Sequence, residues 1–181
     1  MTTRLAATAA LCAVVLWAPA AALADDPPAD QAPPPGPSCL PAQGSTDDLG
    51  LRGVRVGVKA DIRDADGKPL NVKKVDYCVE GGGDFGLALT QESDVVLVLS
   101  TSEGDAIGPI NPTSPAQSAR AQFPNMKRLW KTADATVYRV DSRRQLILGV
   151  ADGHVAYVAA ADRLLLDYPA KLGYYLHRLG Y

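Results

Sequence analysis

The stretch LILGVADGHVAYVAA, residues 146–160, decides the fold class of this protein. Two apolar runs, 146–150 and 155–159, lie on either side of the dipeptide Asp152-Gly153. Asp-Gly is a preferred sequence for the two-residue turn that joins antiparallel strands, because both of its residues tolerate a positive φ. The stretch therefore predicts a β-hairpin, and with it an antiparallel sheet.

Other strand-like runs lie upstream of this hairpin. Each is a short segment that carries β-branched, aromatic or other apolar side chains between turn-forming residues, which is the pattern expected of a strand in an antiparallel sheet. They cover residues 85–89, 95–99, 126–131 and 135–140.

Residues 54–63 show the clearest alternation of apolar and polar side chains in the chain. A period of two predicts a half-buried strand over these residues. Turn-forming residues follow at 64–67, and a returning strand is predicted within 70–79. The change of phase between Val72 and Val75 predicts a bulge or a break in that strand.

Two helices are predicted in the second half of the chain. The first starts at Ser114-Pro115, where the Ser114 side chain is expected to cap the helix, and it ends near Gln122. The second is the C-terminal helix, 169–180, which carries one apolar stripe that covers the sheet. The stripe consists of Leu172, Leu176 and Leu179. These elements predict an α+β fold of mostly antiparallel sheet with one or two covering helices.

Two halves of the chain, residues 50–103 and 113–162, resemble each other. Tyr-Cys-Val-Glu at 77–80 and Tyr-Arg-Val-Asp at 138–141 each precede a polar break and two strand-like runs. A degenerate internal repeat explains this likeness. So does the general similarity of any two antiparallel meanders, and both interpretations stay open.

Residues 1–24 have the three parts of a secretory signal peptide. Arg4 supplies the positive charge, residues 5–16 are almost entirely apolar, and Ala22-Leu23-Ala24 is a small-x-small cleavage site. A membrane anchor needs about 20 consecutive apolar residues, and Pro19 ends this run too early. We therefore predict cleavage near Ala24, a secreted, extracytoplasmic protein, and no transmembrane anchor after cleavage.

Residues 25–41 contain seven of the fourteen prolines. They include few large apolar side chains, so ordering them would bury little surface to offset the loss of conformational entropy. We predict a disordered, semi-stiff tether over 25–41, followed by a single α+β domain over 42–181.

Cys39 and Cys78 are the two cysteines that remain after Cys12 is removed with the signal peptide. A metal site would need more ligands than two thiolates, and a nucleophilic thiol would need a nearby base. Because disulfides persist in exported proteins, we predict a Cys39–Cys78 bridge.

The charge balance argues against nucleic acid as a partner. Eighteen Lys and Arg stand against twenty Asp and Glu, which gives a net charge of −2, whereas nucleic-acid binding needs a clustered basic face. Two local basic clusters are predicted anion contacts, for a wall polymer or for lipid headgroups. A solvated sheet edge would have the same sequence. The clusters consist of Lys127, Arg128, Lys131, Arg139, Arg143 and Arg144.

Tyrosines are concentrated at the C-terminal end, where five of the seven lie within the last 25 residues. A tyrosine-rich surface is typical of a protein-contact patch, although packing of the last helix on the sheet also explains some of them. The predicted patch is Tyr157, Tyr168, Tyr174, Tyr175 and Tyr181.

No sequence motif indicates catalysis. His154 and His177 are the two histidines, and Glu80 and Asp84 flank a triple glycine that is predicted to be a flexible turn. The chain has no Gly-x-Ser-x-Gly, His-Glu-x-x-His or Cys-x-x-Cys motif. We therefore predict no catalytic residues, no metal, no cofactor and no enzyme activity.

The runs at 77–83 and 148–162 resemble those of a group of small exported proteins of high-GC Gram-positive bacteria, which bring no activity to carry over. The order of helix and meander is also similar in outline to the SmpA/OmlA-type envelope lipoproteins and to the secreted β-lactamase-inhibitor proteins. This chain departs from both, because its first half lacks the helix with which they open. The resemblance implies a binding or accessory role rather than catalysis.

These features together predict a secreted, non-catalytic binding or accessory protein. It is expected to act at the cell envelope or outside the cell, where it contacts another protein or a wall polymer. Two alternatives stay open. One is a small extracellular hydrolase that uses His154 with a nearby carboxylate, and the other is a secreted enzyme inhibitor.

Overall fold

The computed structural model describes residues 39–64 and 66–181. The predicted signal peptide and residues 25–38 of the predicted tether lie outside the described residues.

Most of the domain is one antiparallel sheet of seven strands, accompanied by a short two-stranded hairpin and three helices. The α+β class predicted from the sequence is confirmed. In chain order the elements are β1 (Gly50–Leu51), β2 (Val54–Arg55), β3 (Lys74–Cys78), β4 (Asp84–Leu89), β5 (Val95–Ser100), α1 (Ala116–Gln122), β6 (Lys127–Lys131), β7 (Thr136–Arg139), β8 (Leu146–Ala151), β9 (His154–Ala161), α2 (Arg163–Asp167) and α3 (Pro169–Leu179).

The strands of the large sheet follow the order β3-β4-β5-β9-β8-β7-β6. The predicted hairpin is β8–β9, and its turn residues Asp152 and Gly153 have φ values of 48° and 80°. Positive φ at both positions is the signature of the type I′ turn, whose twist matches that of the strands it joins. The runs predicted at 85–89, 95–99, 126–131 and 135–140 are also strands.

The hairpins β4–β5 and β8–β9 share the same irregularity. The register shifts after Ala88 in one and after Gly149 in the other. In both, the residue after the shift faces the valine that follows the turn, with Leu89 opposite Val95 and Val150 opposite Val155. Such a bulge twists and bends a strand, so the two hairpins have the same local shape.

The two hairpins meet along β5 and β9, where Leu99 lies opposite Ala159. Leu99 comes four positions after Val95, and Ala159 comes four positions after Val155. The strand-pairing registers of the two hairpins are therefore related by an approximate two-fold arrangement about this pair. The outer strands do not follow this arrangement. Tyr77 faces the start of β4, whereas Tyr138 faces the middle of β8. The shared Tyr-x-Val motif is therefore not equivalent in space, and the internal repeat stays a prediction.

The sheet is covered on both faces. One face, called the loop-covered face below, packs against residues 40–62 and α1, and its apolar cluster includes Leu51, Val56 and Phe85. The other, the helix-covered face, packs against α2 and α3. The predicted stripe is confirmed, because Leu172, Leu176 and Leu179 are all buried there.

The strand predicted over 54–63 is wrong as secondary structure, since only Val54–Arg55 is strand. The alternation of burial is nevertheless kept, and Val56, Ala60 and Ile62 are buried. The segment makes separate hydrogen bonds to the start of β5, including Gly57 N to Val95 O at 2.7 Å, rather than a continuous ladder. A period of two thus reports alternating burial, which does not require a regular strand. The predicted interruption between Val72 and Val75 is confirmed, because β3 begins only at Lys74.

The predicted cap of the first helix is also wrong. α1 begins at Ala116, and no side chain caps it. The Ser114 hydroxyl instead donates to Asn111 Oδ1 at 2.6 Å and accepts from Asn111 N at 3.1 Å, which closes a local turn. The hydroxyl is used within the preceding loop, a competing role that serine often takes. α3 begins at Pro169 as predicted, whereas α2 was not predicted.

The Cys39–Cys78 disulfide is confirmed, with the two Cα atoms 4.7 Å apart. Next to it, Leu40 runs parallel to Val79, donates to Cys78 O at 2.9 Å and accepts from Glu80 N at 2.8 Å. Cys39 and Leu40, which lie near the end of the predicted tether, are therefore attached to the outer edge of β3. The bridge is compatible with an extracytoplasmic location. In the part of the chain that the structure describes, no helix combines the length and apolar character needed to cross a membrane.

Candidate functional site

Large exposed apolar side chains gather around α2 and α3. Trp130 is 37% exposed, Leu164 53%, and Tyr168 and Tyr174 56% each. We call these four residues the aromatic face. Among the described residues, the one other large apolar side chain that is exposed is Leu49, which precedes β1 beside the loop-covered face.

Two grooves border the aromatic face. The first, called the apolar groove, has a volume of about 460 Å³ and lies between α2, α3 and the start of β5. The second, called the polar groove, has a volume of about 580 Å³ and lies between α3 and the turn after β6. Tyr174 and Ala170 line both grooves, so Tyr174 forms the ridge between them.

The sequence of α3 explains why this surface exists. Its three leucines point into the helix-covered face, so the side chains on the opposite side of the helix face solvent. Gly173 lets the Trp130 indole lie directly against the helix, since a Cβ at this position would be 2.5 Å from Trp130 Nε1. The aromatic face therefore joins side chains from α3 and from the edge strand β6.

Cationic side chains hold the exposed rings. The Arg178 guanidinium lies 4.8 Å from the centre of the Tyr174 ring and 5.3 Å from that of Tyr175. It donates to the Tyr174 hydroxyl and to Leu89 O, the latter at 3.2 Å. Lys171 Nζ lies 5.2 Å from the Tyr168 ring centre. Each such contact is favourable by about 0.5–1 kcal/mol at exposed sites, so these rings have a preferred orientation before any partner arrives.

The predicted tyrosine patch needs one correction. Tyr157 is fully buried and therefore cannot belong to a surface patch. Its ring lies 5.1 Å from that of Tyr181, and burial raises the pKa of both hydroxyls. Tyr168 and Tyr174 are exposed, while Tyr175 and Tyr181 are half-buried.

The six predicted anion contacts lie along the edge formed by β6, β7 and the turn after β7, and some of them already have partners. Arg139 donates to the carbonyls of Ser142 and Arg144, at 2.9 and 3.3 Å. Arg144 forms ion pairs with Asp141 at 3.1 Å and with Asp48 at 3.4 Å. The exposed members of the set are Lys127, Arg128, Lys131 and Arg143.

Asp141 organises the turn that carries two of these arginines. Burial raises the pKa of its carboxyl, but hydrogen bonds from the backbone N–H groups of Arg143 and Arg144 and the charges of Arg144 and Arg139 lower that pKa overall. The carboxylate is thus held in its charged form and partly neutralises the cluster.

Among the described residues, no hydrogen bond or ion pair joins either histidine to Glu80 or Asp84, the carboxylates that flank the triple glycine. His154 is exposed, and its Nδ1 contacts Asp152 O at 3.1 Å. Asp84 begins β4, and two strand spacings separate β4 from β9, roughly 10 Å. His177 lines the polar groove. Within residues 39–64 and 66–181, no group of three His, Cys, Asp or Glu is placed to hold a metal ion.

A buried ion pair, which the sequence did not predict, lies beneath the loop-covered face. Arg52 Nε is 2.7 Å from Asp105 Oδ2, and the two side chains are 6% and 0% exposed. Ser100, itself buried, donates its hydroxyl to the same carboxylate oxygen. Arg52 also donates to Pro41 O at 2.6 Å, which fixes the covering segment near its start. The network is structural, because Ser100 and Asp105 have no exposed surface.

No known protein family, curated protein or solved structure matches this chain.

Proposed function

We propose that this protein is a secreted, non-catalytic binding or accessory protein that acts at the cell envelope or outside the cell, and that the aromatic face contacts a partner protein there. The observation that supports the proposal is the gathering of Trp130, Leu164, Tyr168 and Tyr174 around one helix. Exposed apolar groups that are contiguous and bordered by polar residues are typical of interaction sites.

The chemistry of the face favours a protein as the partner. Tyr, Trp and Arg are the residues enriched at the centres of protein interfaces, and Tyr174 and Arg178 already stack on each other. Rings that are oriented in the free protein lose little conformational entropy on binding. The two grooves beside Tyr174 offer concave sites for side chains of the partner.

The test is a matched capture experiment with the mature protein as bait. An envelope fraction of the source organism is crosslinked to the wild type, to a Tyr168→Ala/Tyr174→Ala variant and to a Leu49→Ala variant. Leu49 is the control because it is similarly exposed, at 43%, but lies beside the other face. We expect the same protein to be captured by the wild type and by Leu49→Ala and to be lost with the double variant.

Other outcomes of these experiments would contradict the proposal. Equal capture by all three proteins would show that the aromatic face is not the interface. Turnover of a hydrolase substrate that disappears in His154→Ala would support the hydrolase instead, and direct inhibition of a secreted enzyme would favour the inhibitor.

A further inference from the structure

The polar groove, between α3 and the turn after β6, combines aromatic rings with polar side chains that are free to bind a ligand. Its aromatic members are Trp130, Tyr174 and Tyr181, and its polar members include Asp134 and His177. Within the described residues, no hydrogen bond or ion pair engages the Asp134 carboxylate or the His177 imidazole. Both groups are exposed, so a bound molecule can reach them.

The rings on the α3 side of the groove are held in place by the fold. The Trp130 indole packs directly on α3, since a Cβ on Gly173 would be 2.5 Å from Nε1. Gly180 ends the helix with a φ of 99°, and Tyr181 N then donates to a helix carbonyl at 3.0 Å. The Tyr181 ring is thereby brought 5.1 Å from the buried ring of Tyr157. Rings fixed in this way lose little conformational entropy when a ligand packs on them.

The other wall of the groove is the turn 132–135, which is also held by hydrogen bonds. Thr132 N donates to Ala135 O at 2.8 Å, and the Thr132 hydroxyl accepts from Ala135 N at 2.9 Å. Asp134 is one of the two central residues of this turn. Its carboxylate is therefore a hydrogen-bond acceptor carried on a closed turn opposite the rings.

The side chains of the groove indicate the chemistry of the ligand. Among the described residues that line it, Asp134 is the one acidic residue and none is Lys or Arg, so an anionic ligand would find no compensating cation. Aromatic rings pack on C–H groups. A carboxylate accepts hydrogen bonds from hydroxyls, and a neutral imidazole both donates and accepts.

A sugar ring presents both kinds of surface, because its faces carry C–H groups and its edge carries hydroxyls. An uncharged saccharide therefore matches the rings and the polar side chains at the same time. The volume of the groove, about 580 Å³, lies within the range of about 300–1,000 Å³ that small-ligand sites occupy. A short oligosaccharide fits such a site.

We propose that the polar groove binds a short stretch of an uncharged saccharide, with one sugar ring stacked on the Trp130 indole and a sugar hydroxyl donating to Asp134. This site is additional to the proposed function and does not depend on it. Trp130 and Tyr174 also belong to the aromatic face. A saccharide and a partner protein would therefore compete for these two residues, and that consequence alone rests on the proposed function.

Trp130 makes the test specific to the site. The chain has two tryptophans, Trp17 and Trp130, so a mature protein that starts at Asp25 keeps only Trp130. Its fluorescence is titrated with uncharged probes, namely cellotetraose, maltotetraose, xylotetraose and N-acetylated chitotetraose, and calorimetry measures the heat of the same titrations. We expect at least one probe to release heat and to shift the emission to shorter wavelength, because the sugar displaces water from the 37% exposed indole. Tetragalacturonate, an anionic saccharide of the same length, should do neither.

Three variants locate the binding. Asp134→Ala should weaken the binding of the responding probe about tenfold, because it removes a charged hydrogen-bond acceptor. Asp167→Ala is the matched control, since Asp167 is an exposed aspartate of α2 that lines neither groove. Leu164→Ala is the second control, because Leu164 lines only the apolar groove. Both controls should keep the affinity of the wild type.

Two results would overturn the proposal. One is the absence of heat and of an emission shift with every uncharged probe, and the other is a response that Asp134→Ala leaves unchanged. Loss of binding in Leu164→Ala would also contradict it, because the saccharide would then use the apolar groove. The titrations contain no partner protein, so a failure here leaves the proposed function standing, and a failure of capture leaves the saccharide site standing.

Discussion

The two faces of the sheet are covered in different ways and are held by different interactions. Residues 40–62 cover one face with little regular structure, and they are fixed by the disulfide and by the Arg52–Asp105 pair. The helices cover the other face through a stripe of buried leucines. An irregular segment has few repeated backbone hydrogen bonds to offset its lost entropy, so it needs specific attachments. A helix forms its backbone hydrogen bonds within itself, so the side that faces solvent can carry exposed aromatic residues.

Among substitutions that test the difference between the two faces, Asp105→Ala is expected to lower the free energy of unfolding the most. The substitution leaves the Arg52 guanidinium buried beside no carboxylate, and breaking a buried pair in this way costs about 3–5 kcal/mol. Urea unfolding of the mature protein measures the loss. Asp47→Ala is the control, because the Asp47–Arg55 pair is exposed and such pairs contribute about 0–1 kcal/mol. Equal losses in both variants would contradict the role given to the buried pair.

The next largest loss of stability is expected on removal of the Cys39–Cys78 disulfide, which attaches the segment that covers the same face. Replacing Cys39 and Cys78 by serine is expected to lower the free energy of unfolding by about 2–4 kcal/mol, since the unfolded chain gains the entropy of an open loop. Reductant should lower the stability of the wild type to that of the double variant and leave the variant unchanged. If the wild type were insensitive to reductant and as stable as the variant, the bridge would not stabilise the loop-covered face.

A third experiment compares two buried tyrosines, one on each face. Burial raises the pKa of Tyr77 on the loop-covered face to about 12, and burial followed by the neighbouring Tyr181 raises that of Tyr157 on the helix-covered face. An unfolded tyrosine titrates near pH 10. The folded state therefore keeps the phenolic proton to a higher pH than the unfolded state does. For Tyr77, the stability that comes from this raised pKa is fully present below about pH 10 and is lost as the pH rises through about 12.

Tyr157→Phe should make this alkaline loss less steep. The hydroxyl of Tyr157 is buried without a hydrogen-bond partner, so its removal should also raise the free energy of unfolding at neutral pH by about 1 kcal/mol. Chemical unfolding at a series of pH values measures both effects. Tyr168→Phe, which changes an exposed ring, should alter neither, and an unchanged pH profile for Tyr157→Phe would contradict the prediction.

The smallest change in the free energy of unfolding is expected for substitutions on the solvent-facing side of the helices. Leu164→Ala should change the free energy of unfolding by no more than about 0.5 kcal/mol, because its side chain is already 53% exposed. A loss comparable to that of a core leucine, about 2–5 kcal/mol, would mean that Leu164 belongs to the core and not to the aromatic face.

Much of the fold could be predicted because its signals are local. The turn at Asp152-Gly153 depends on two adjacent residues, and the stripe of α3 depends on the spacing of three leucines. The Arg52–Asp105 pair has no such signal, because its members are 53 positions apart and each looks like an ordinary charged loop residue. Residues 54–63 were misassigned because alternating burial is shared by a strand and by an extended segment that lacks a continuous partner.

Only part of the candidate site could be predicted from the sequence, for a related reason. Counting tyrosines found Tyr168 and Tyr174, but residue type alone does not say which side of an element faces solvent. Tyr157 lies in the nearly uninterrupted apolar run 155–161, and such a run indicates a strand buried on both faces. That signal would have excluded it from the patch. Trp130 reaches the aromatic face only because the sheet brings β6 to Gly173, a contact that no local pattern contains.

The pairing of Leu99 with Ala159 has a consequence for folding kinetics. Each hairpin joins neighbouring strands and can form within microseconds, whereas the seam between β5 and β9 joins residues far apart in the chain and must wait for a long loop to close. While the seam is open, both hairpins present a free edge of the same local shape. At that stage two chains could pair with each other in place of their own halves, so we expect slower closure of the seam to favour misassembly.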